Sequence, residues 1–406
     1  MILTDNVLRR TFMFLILSRA FRSVALIFAT LALPLYLATL HYSLVFIGII
    51  YFFVIFFNAA ISFLLGMLGD RIGFQKTLVL GELLPLVGLT LIALTVYRPV
   101  IIVGVIVSGI SGVAGGLRGS FSPNSQAFIA RNWNKEKERV SKIAAINAVA
   151  GFSAVFGGIL LASEYFISGA LGPVLAFRVL FGISALLLAV SVASLSFLKE
   201  KRAPLKRHMF LKRESGNYVA RIGLANLING MGLGVALPLF PLWLAVRYGV
   251  NNYIIGVLFS LSYITTAMAA LYSSRVVRSR DIDALTVGSN TRVLQGAMLI
   301  AIALMPTFWL AGLFFIIRTL FYGFGSPFRS VITMKGLDAS DYGTGISTVG
   351  LVSRFSQLTS GFAGYLMEYY LPSTLIFGGV FQVFGGIAYG KLLRKKTDIL
   401  INQVSK

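Results

Sequence analysis

Three arginines lie inside long apolar stretches of this sequence, where a positive charge is costly to place. Arg118, Arg318 and Arg354 are each flanked on both sides by apolar runs. A charge at the centre of a helix in a lipid bilayer costs about 2.5 to 3.5 kcal/mol on insertion scales, so it needs a polar partner or water. A guanidinium carries five N–H donors in one plane, which suits carboxylate and phosphate groups. The three arginines are therefore candidates for binding an anion.

Small and polar residues recur at helical spacing around these arginines, and such stripes face a protein interior or a water-filled cavity rather than lipid. The stripes are Ser108, Ser111, Gly115, Arg118, Ser122 and Ser125; Ser347, Gly350, Arg354, Gln357 and Gly361; and Arg318, Tyr322, Gly325 and Arg329. Two asparagines add a polar patch to another apolar segment. We predict a solute-binding set made of Arg118, Arg318, Arg354, Gln357, Asn226, Asn229 and Tyr322.

A second interpretation of these arginines is structural, because a guanidinium can also hold helices together. In that case Arg118, Arg318 and Arg354 bind backbone carbonyls or the acids Asp70 and Glu82 near the inner surface. Of the 14 acidic residues, we expect only Glu82 to lie well inside an apolar segment.

Three further arginines lie nearer to the ends of apolar segments. Long basic side chains at such positions extend their charged group to the interface while their stems stay in apolar surroundings. We therefore expect Arg19, Arg22 and Arg221 to reach the cytoplasmic interface.

The composition indicates an integral membrane protein. The chain of 406 residues is 57% hydrophobic and only 12% charged, with a mean hydropathy of +0.85, which is more apolar surface than a soluble chain of this length can bury. A helix needs about 20 residues to cross a bilayer. Twelve apolar segments reach that length, at 14–40, 44–68, 77–97, 99–129, 140–163, 172–198, 217–246, 252–276, 285–305, 307–330, 342–367 and 372–393.

The distribution of basic residues predicts the orientation of these segments. Of the 36 Lys and Arg, only Arg98 and Arg247 fall in loops on the far side of the predicted membrane. Basic loops stay in the cytoplasm, so both termini are predicted to be cytoplasmic in a multi-pass protein of the cell membrane. The net charge of +22 then forms a cytoplasmic collar that faces anionic lipid, and we do not expect nucleic acid as a partner.

The residues needed for several kinds of catalysis and metal binding are missing from the sequence. It contains no cysteine, and its two histidines, His41 and His208, lie in predicted loops. Its glycine runs lack the lysine and hydroxyl residue of a phosphate-binding loop. We therefore expect no enzymatic activity, no metal and no cofactor.

A short polar turn, G-M-L-G-D-R-I-G-F-Q-K at 66–76, separates the second and third apolar segments. Gly66 and Gly69 are expected where two backbones come close, and Gly73 where the chain needs a positive φ. The charged residues place the turn at a membrane face, because they cannot lie in hydrocarbon. These residues are Asp70, Arg71 and Lys76.

This turn resembles the signature loop of the major facilitator superfamily, written G-x-x-x-D-R-x-G-(R/K)-(R/K). Phe74 and Gln75 stand where that family usually has basic residues. The positions that match are Gly66, Asp70, Arg71, Gly73 and Lys76, which we predict to form a gating motif.

Further pieces of the sequence are similar to the same family over nearly the whole chain. The stretch S-P-N-S-Q-A at 122–127, the pair Glu138-Arg139 and Arg178 each match a piece of the family pattern. The family's fourth-helix arginine, often linked with proton coupling, would fall near Ser111 and is missing.

The resemblance implies an all-α membrane protein with twelve helices in two six-helix halves. A repeat supports this, since A-L-P-L at 32–35 recurs at 236–239 and Ser122-Pro123 recurs as Ser326-Pro327, both 204 residues later. We predict an N-terminal half at 1–198, a cytoplasmic linker at 199–216 and a C-terminal half at 217–406.

The family resemblance and the arginines together predict the function. We expect a monomeric secondary transporter that moves a small solute, favoured to be an organic or amphipathic anion, by alternating access. Multidrug-type efflux of apolar or cationic compounds is the alternative. Binding of a cation would require a buried carboxylate in the site, which we do not find in the sequence. A non-transporting membrane sensor or a lipid scramblase is the second alternative.

Overall fold

The computed structural model describes residues 5–110, 121–133, 136–200, 213–279, 283–335 and 342–404, and within these ranges the regular structure is helical, with no strand. A short 3₁₀ turn, Ser356–Thr359, lies between α13 and α14. The helices are α1 Asp5–Thr39, α2 Leu44–Ile72, α3 Phe74–Leu94, α4 Arg98–Ser108, α5 Phe121–Asn132, α6 Glu136–Leu171, α7 Pro173–Ser196, α8 Arg213–Ala236, α9 Phe240–Tyr248, α10 Asn252–Ser279, α11 Ala284–Leu304, α12 Phe308–Lys335, α13 Tyr342–Phe355, α14 Ser360–Tyr369 and α15 Ser373–Val404.

Among the described residues, ten helices are long and apolar enough to cross a membrane. They are α1, α2, α3, α6, α7, α8, α10, α11, α12 and α15. The prediction of a multi-pass, all-α membrane protein is confirmed. The count of twelve continuous helices is not, because the predicted spans 99–129, 217–246 and 342–367 are each interrupted.

The predicted span 99–129 is interrupted at Gly109. This residue takes a left-handed conformation with φ of 59°, which ends α4, and Nδ2 of Asn58 donates a 2.5 Å hydrogen bond to its carbonyl. A left-handed residue cannot continue a helix, and glycine adopts that conformation without a Cβ clash. Arg118 lies outside the described residues, so its place on the predicted stripe stays a prediction.

The predicted span 217–246 is interrupted at 237–239, where α8 has ended and α9 has not begun. Pro238 has no backbone N–H and disfavours a helical conformation of the residue before it. The next helix resumes when N–H of Trp243 donates to the carbonyl of Leu239 at 2.8 Å.

The predicted span 342–367 is interrupted by the 3₁₀ turn, which is held against α8. Oγ1 of Thr359 donates a 2.8 Å hydrogen bond to the carbonyl of Met231. Gly234 makes the approach possible, since a Cβ there would collide with the Gln357 backbone and the Thr359 hydroxyl. The contact with α8 therefore stabilises a local backbone conformation that helical propensity alone would not select.

The chain divides into two compact units. The first contains Met1–Lys206 and Leu237–Tyr263, and the second contains Arg207–Ala236 and Ile264–Lys406. In the first unit α1 packs on α6 and α7, and α3 packs on α4 and α7. In the second, α15 packs on α8 and α11, and α11 packs on α12. The linker at 199–216 and the two six-helix halves remain predictions, because 201–212 lies outside the described residues.

Candidate solute site and gating loop

Arg318 lies on α12 in the interior of the second unit, with 4% of its surface exposed. Its Nη2 donates a long hydrogen bond of 3.5 Å to Oε1 of Gln382 on α15. Its Nε is buried and has no hydrogen-bond partner among the described residues. No acidic residue forms an ion pair with Arg318 in the part of the chain that the structure describes. The guanidinium is therefore buried with a neutral partner and an unused donor.

Two glutamines extend this polar contact from α15 to α11. Nε2 of Gln382 donates to Oε1 of Gln295 at 3.4 Å, and Nε2 of Gln295 donates to the Thr291 carbonyl at 2.9 Å. Both glutamines are buried. The sequence interpretation missed them, although an amide inside an apolar segment is itself a signal of an interior position.

Arg292 is a second arginine of this region that the sequence interpretation missed. Its Nη2 donates to Oδ1 of Asn226 at 2.7 Å, and its guanidinium lies 4.2 Å from the centre of the Tyr389 ring. Asn226 thus lies beside a buried arginine, and its role in binding a solute stays a prediction. Asn229 is also buried, and its Oδ1 has no hydrogen-bond partner among the described residues.

Tyr322 lies next to Arg329 on α12. Nη2 of Arg329 donates to the carbonyl of Tyr322 at 3.1 Å, and its guanidinium lies 5.5 Å from the centre of the ring. Nη1 of Arg329 donates to Oγ1 of Thr291 at 3.2 Å. Thr291 therefore accepts hydrogen bonds from Arg329 and from Gln295, which connects this arginine with the amide contacts of Arg318.

Arg354 occupies the last turn of α13 and is half-buried. The prediction that it lies far from both ends of its helix is wrong, because the 3₁₀ turn begins two residues later. Gln357 is buried within that turn, whereas Gly350 on the same predicted stripe is exposed. The helix break therefore separates residues that an unbroken helix would align.

The first unit contains an ion pair between two buried side chains. Arg22 on α1 pairs with Glu82 on α3, and Glu82 is completely buried. Oγ of Ser191 donates to Oε1 of Glu82 at 2.8 Å, and the guanidinium of Arg19 lies 5.1 Å from the centre of the Phe121 ring. The prediction that Arg19 and Arg22 extend to the cytoplasmic interface is wrong, because the protein interior supplies an acid and an aromatic face.

A small pocket adjoins Arg19 in the same unit. It is lined by residues that include Ser125 and Gln126, which belong to the stretch that resembles a family motif, and by Asn147 of α6. The pocket gives this unit a polar concavity next to a buried positive charge.

Glu164 on α6 is a second buried acid, and the prediction that Glu82 alone lies well inside a span is wrong. The predicted span ended at 163, whereas α6 continues to Leu171 and buries Glu164 to 3% exposure. Nδ2 of Asn252 donates a 2.6 Å hydrogen bond to its Oε2. The described part of the chain contains no cluster of three or more His, Cys, Asp or Glu side chains that could hold a metal ion.

The predicted gating motif forms the tight turn between α2 and α3. Gly73 has a φ of 98°, which confirms the positive φ predicted there. The predicted close backbone approach at Gly66 is wrong, because a Cβ built on it meets no atom within 4 Å. Arg71 and Lys76 are exposed, while the side chain of Asp70 is outside the description.

Glu200 binds this turn from the C-terminal side of α7, a contact that the sequence interpretation missed. Its Oε2 accepts from the N–H of Gln75 at 2.9 Å, and its Oε1 accepts from Nη1 of Arg131 at 2.7 Å. The guanidinium of Arg131 lies 4.4 Å from the centre of the Phe74 ring. The two residues that depart from the family pattern, Phe74 and Gln75, thus have structural contacts of their own.

The resemblance at Arg178 also has a structural explanation. Its Nε and Nη2 donate to the carbonyls of Ala93 and Leu94, at 2.9 and 2.8 Å. These carbonyls end α3, where a positive charge complements the helix dipole.

The fold and the buried charges define a multi-pass helical membrane protein whose interior holds polar sites. The sequence profile of the Major Facilitator Superfamily matches residues 11–361, and the chain belongs to this family. It is therefore a transporter by family, and its partner is a small-molecule solute. No curated protein sequence matches the chain.

Solved structures with the same fold come from several transporters. A bacterial homolog of the human lysosomal transporter Spinster, in an inward-facing and occupied conformation, is 15% identical with a TM-score of 0.71, and the match covers 96% of this chain and 98% of that one. The human organic anion transporter MFSD10 (TETRAN) is 14% identical with a TM-score of 0.62, over 95% and 99% of the chains. An auto-inhibited POT family peptide transporter is 13% identical with a TM-score of 0.71, over 95% and 97%. At these identities the likeness establishes the fold.

Proposed function

We propose that this protein moves an organic or amphipathic anion across the cell membrane by alternating access. The observation that carries the proposal is Arg318, a buried guanidinium whose hydrogen-bond partner is a neutral amide and whose Nε is unused. The human organic anion transporter among the fold relatives shows that this architecture can serve such a solute.

The cost of an unneutralised charge supports a role in binding. A buried charge without a counter-ion loses several kcal/mol of hydration, and a neutral amide at 3.5 Å returns little of it. A carboxylate or phosphate on the solute would supply the missing negative charge and accept from more than one guanidinium N–H. The described protein groups therefore do not neutralise Arg318, and a bound anion would.

Buried amides position the guanidinium of Arg318 within the proposed site. Gln382 of α15 accepts from the guanidinium of Arg318 and donates in turn to Gln295 of α11. We propose that Arg318 binds the negative group and that the rest of the predicted set shapes the remainder of the site. That set comprises Arg118, Arg354, Gln357, Asn226, Asn229 and Tyr322.

We also propose the cellular setting from the charge pattern. Both termini are cytoplasmic, the basic collar contacts anionic lipid of the cell membrane, and the protein acts as a monomer. Asp70, Arg71 and Lys76, with Gly66 and Gly73, form the cytoplasmic gating motif.

Thermal unfolding of the purified protein with carboxylates, uncharged analogues of the same shape and organic cations would test the proposed function. We expect carboxylates to raise the unfolding temperature, Arg318→Gln to weaken their binding at least tenfold, and the uncharged analogues to bind both proteins equally. Arg394→Gln is the matched control, because the Arg394 side chain is 63% exposed at the end of the apolar part of α15. Preferential binding of cations, or equal losses for charged and uncharged compounds, would overturn the anion proposal.

Flux into liposomes separates transport from the two remaining alternatives. A transporter shows saturable uptake of the bound carboxylate. A sensor would bind without flux, and a scramblase would move labelled lipid between leaflets instead.

A further inference from the structure

The acid on α6 lies outside the proposed anion site and has an unusual environment of its own. Glu164 is 3% exposed, and it lies in the last third of its helix. Asn252, the first residue of α10, donates to it at 2.6 Å. No Lys, Arg or His forms an ion pair with Glu164 in the part of the chain that the structure describes.

An amide donor cannot neutralise a carboxylate. A buried ionised carboxylate without a cation carries an effective desolvation penalty of several kcal/mol. A bound proton removes the charge and leaves a carbonyl oxygen that still accepts from Nδ2 of Asn252. The hydrogen bond from Asn252 is compatible with both forms of the acid, and the ionised form needs water in addition to this amide to balance its charge.

The first half of α10 packs closely against α6 next to Glu164. A Cβ on Gly256 would collide with the backbone of Gly158 and Ala162. Oγ of Ser260 donates a 3.0 Å hydrogen bond to the carbonyl of Val155. Helices at this separation pack backbone against backbone, so water can surround the carboxylate on the α10 side only when the two helices move apart.

The groups near this end of the unit do not offer Glu164 a charge. Arg178 on α7 is bound to the carbonyls that end α3, and Tyr165 and Tyr253 contact each other with ring centres 6.4 Å apart. None of the titratable or charged side chains toward this end of the elements around α6 bonds to Glu164 in the described structure. They are Tyr36 on α1, Tyr165 on α6, Arg178 on α7, Arg247 and Tyr248 on α9, and Tyr253 on α10.

We propose that Glu164 and Asn252 form a proton-binding site that controls the separation of α6 from α10. With the proton on Glu164, the helices stay packed and the hydrogen bond from Asn252 is kept. When the proton leaves to water, the carboxylate is hydrated and the two helix ends separate. The inference rests on the proposed transport function for its consequence, which is a proton-dependent step at the end of the molecule that the charge pattern places outside the cell.

Infrared difference spectroscopy of the protein in lipid nanodiscs tests the site without any solute. A step from acid to neutral pH should remove a protonated-carboxyl band from the parent, and this band should be lost in Glu164→Gln. The amide of Gln keeps the shape of the side chain, so the fold is retained. Glu368→Gln is the matched control, because Glu368 is an exposed acid of α14, and its band should equal that of the parent.

A distance measurement tests the control of the helix contact. The chain has no cysteine, so spin labels at Ser168→Cys and Val250→Cys report the distance between the ends of α6 and α10 without background. In the parent this distance should lengthen as the pH rises, and in Glu164→Gln it should stay short at every pH. A band that persists in Glu164→Gln, or a distance that follows sodium concentration at constant pH, would overturn the proposal.

A second variant keeps the acid and removes its donor. In Asn252→Leu the carboxyl band should remain, with its pH midpoint moved upward because the ionised form loses a hydrogen bond. An unchanged midpoint would show that Asn252 has no part in the site. These experiments contain no solute. If the tests at Arg318 refute the proposed anion site, the results expected here for Glu164 do not change.

Discussion

Two buried arginines differ in their partners: Arg22 of the first compact unit has an acidic one, and Arg318 of the second has a neutral one. Arg22 pairs with Glu82, which also accepts from Ser191, so the charge is balanced inside the protein. Arg318 contacts Gln382 at 3.5 Å and leaves its Nε without a partner among the described residues. The two arginines have similar burial, and each leaves its Nε without a hydrogen-bond partner among the described residues, so the acidic partner of Arg22 is the feature that distinguishes them.

The difference teaches how to interpret an intramembrane arginine. A complete ion pair holds helices together, and breaking it leaves one charge buried and unpaired. An arginine with neutral partners is instead free to exchange a weak contact for an anion. A change at Arg22 should therefore lower mainly the stability, and a change at Arg318 mainly the binding of an anion.

The largest expected effect is the loss of stability when the pair in the first unit is broken. Arg22→Met should lower the free energy of unfolding by about 3 to 5 kcal/mol, because Glu82 is left charged and buried. Unfolding in mixed detergent micelles would measure this. The double variant Arg22→Met/Glu82→Leu should recover most of the loss, and a double variant as unstable as the single one would contradict the paired-charge interpretation.

A smaller effect, on binding rather than on stability, is expected at the arginine of the second unit. Arg318→Met should leave the protein at least as stable as the parent, since it removes a buried charge without a counter-ion and only one weak hydrogen bond. The same change should weaken carboxylate binding by about 1.5 to 3 kcal/mol, the range for a hydrogen bond to a charged group. Titration calorimetry gives the binding constant, and destabilisation as large as in Arg22→Met would assign Arg318 a structural role.

Arg354 sharpens the comparison, because it is half-buried and lies at the end of α13. Arg354→Lys keeps the charge but loses the planar pair of donors, so it should weaken an anion by about 1 kcal/mol. Arg354→Gln should weaken it more and leave an uncharged analogue of the same shape nearly unaffected. Competition binding with the two analogues is the measurement, and equal losses for both compounds would remove Arg354 from the site.

The smallest expected effect concerns the gating loop, where the charge acts on a conformational equilibrium. From the family resemblance we predict that Asp70 faces the helix start near 343–347, where the dipole favours an anion by about 0.3 to 1 kcal/mol. Asp70→Asn should shift the population toward the inward-open state without abolishing solute binding. Cysteine labels at the two ends of the cavity would report the shift, and identical labelling with and without the substitution would refute the assignment.

Several features could be predicted from local sequence alone. The long apolar runs indicate membrane helices, since a backbone in hydrocarbon must satisfy its hydrogen bonds within the helix. Gly73 was predicted to have a positive φ, and its value of 98° agrees. Asn226 was predicted to lie at a polar site, and it accepts a hydrogen bond from Arg292.

Features that depend on a partner distant in the sequence could not be predicted. In the sequence, Glu82 is 60 residues from Arg22 and Gln382 is 64 residues from Arg318. The residues near either arginine in the sequence therefore do not indicate its partner. Glu164 was placed outside its span because the apolar run weakens there. The helix continues to Leu171, and the burial comes from the packing of α6 against α10.

The tetrapeptide A-L-P-L occurs twice in the chain and has a different structure in each copy. At 32–35 it lies inside α1, which continues past Pro34 to Thr39, whereas at 236–239 the same four residues end α8. Each proline removes one helical hydrogen bond, and this local cost follows from the sequence in both copies. The first copy lies within one compact unit, but the second lies at the boundary between Ala236 and Leu237, where the chain passes from one unit to the other. The sequence determines that the helix is weakened at both sites, and tertiary packing decides at which one it breaks.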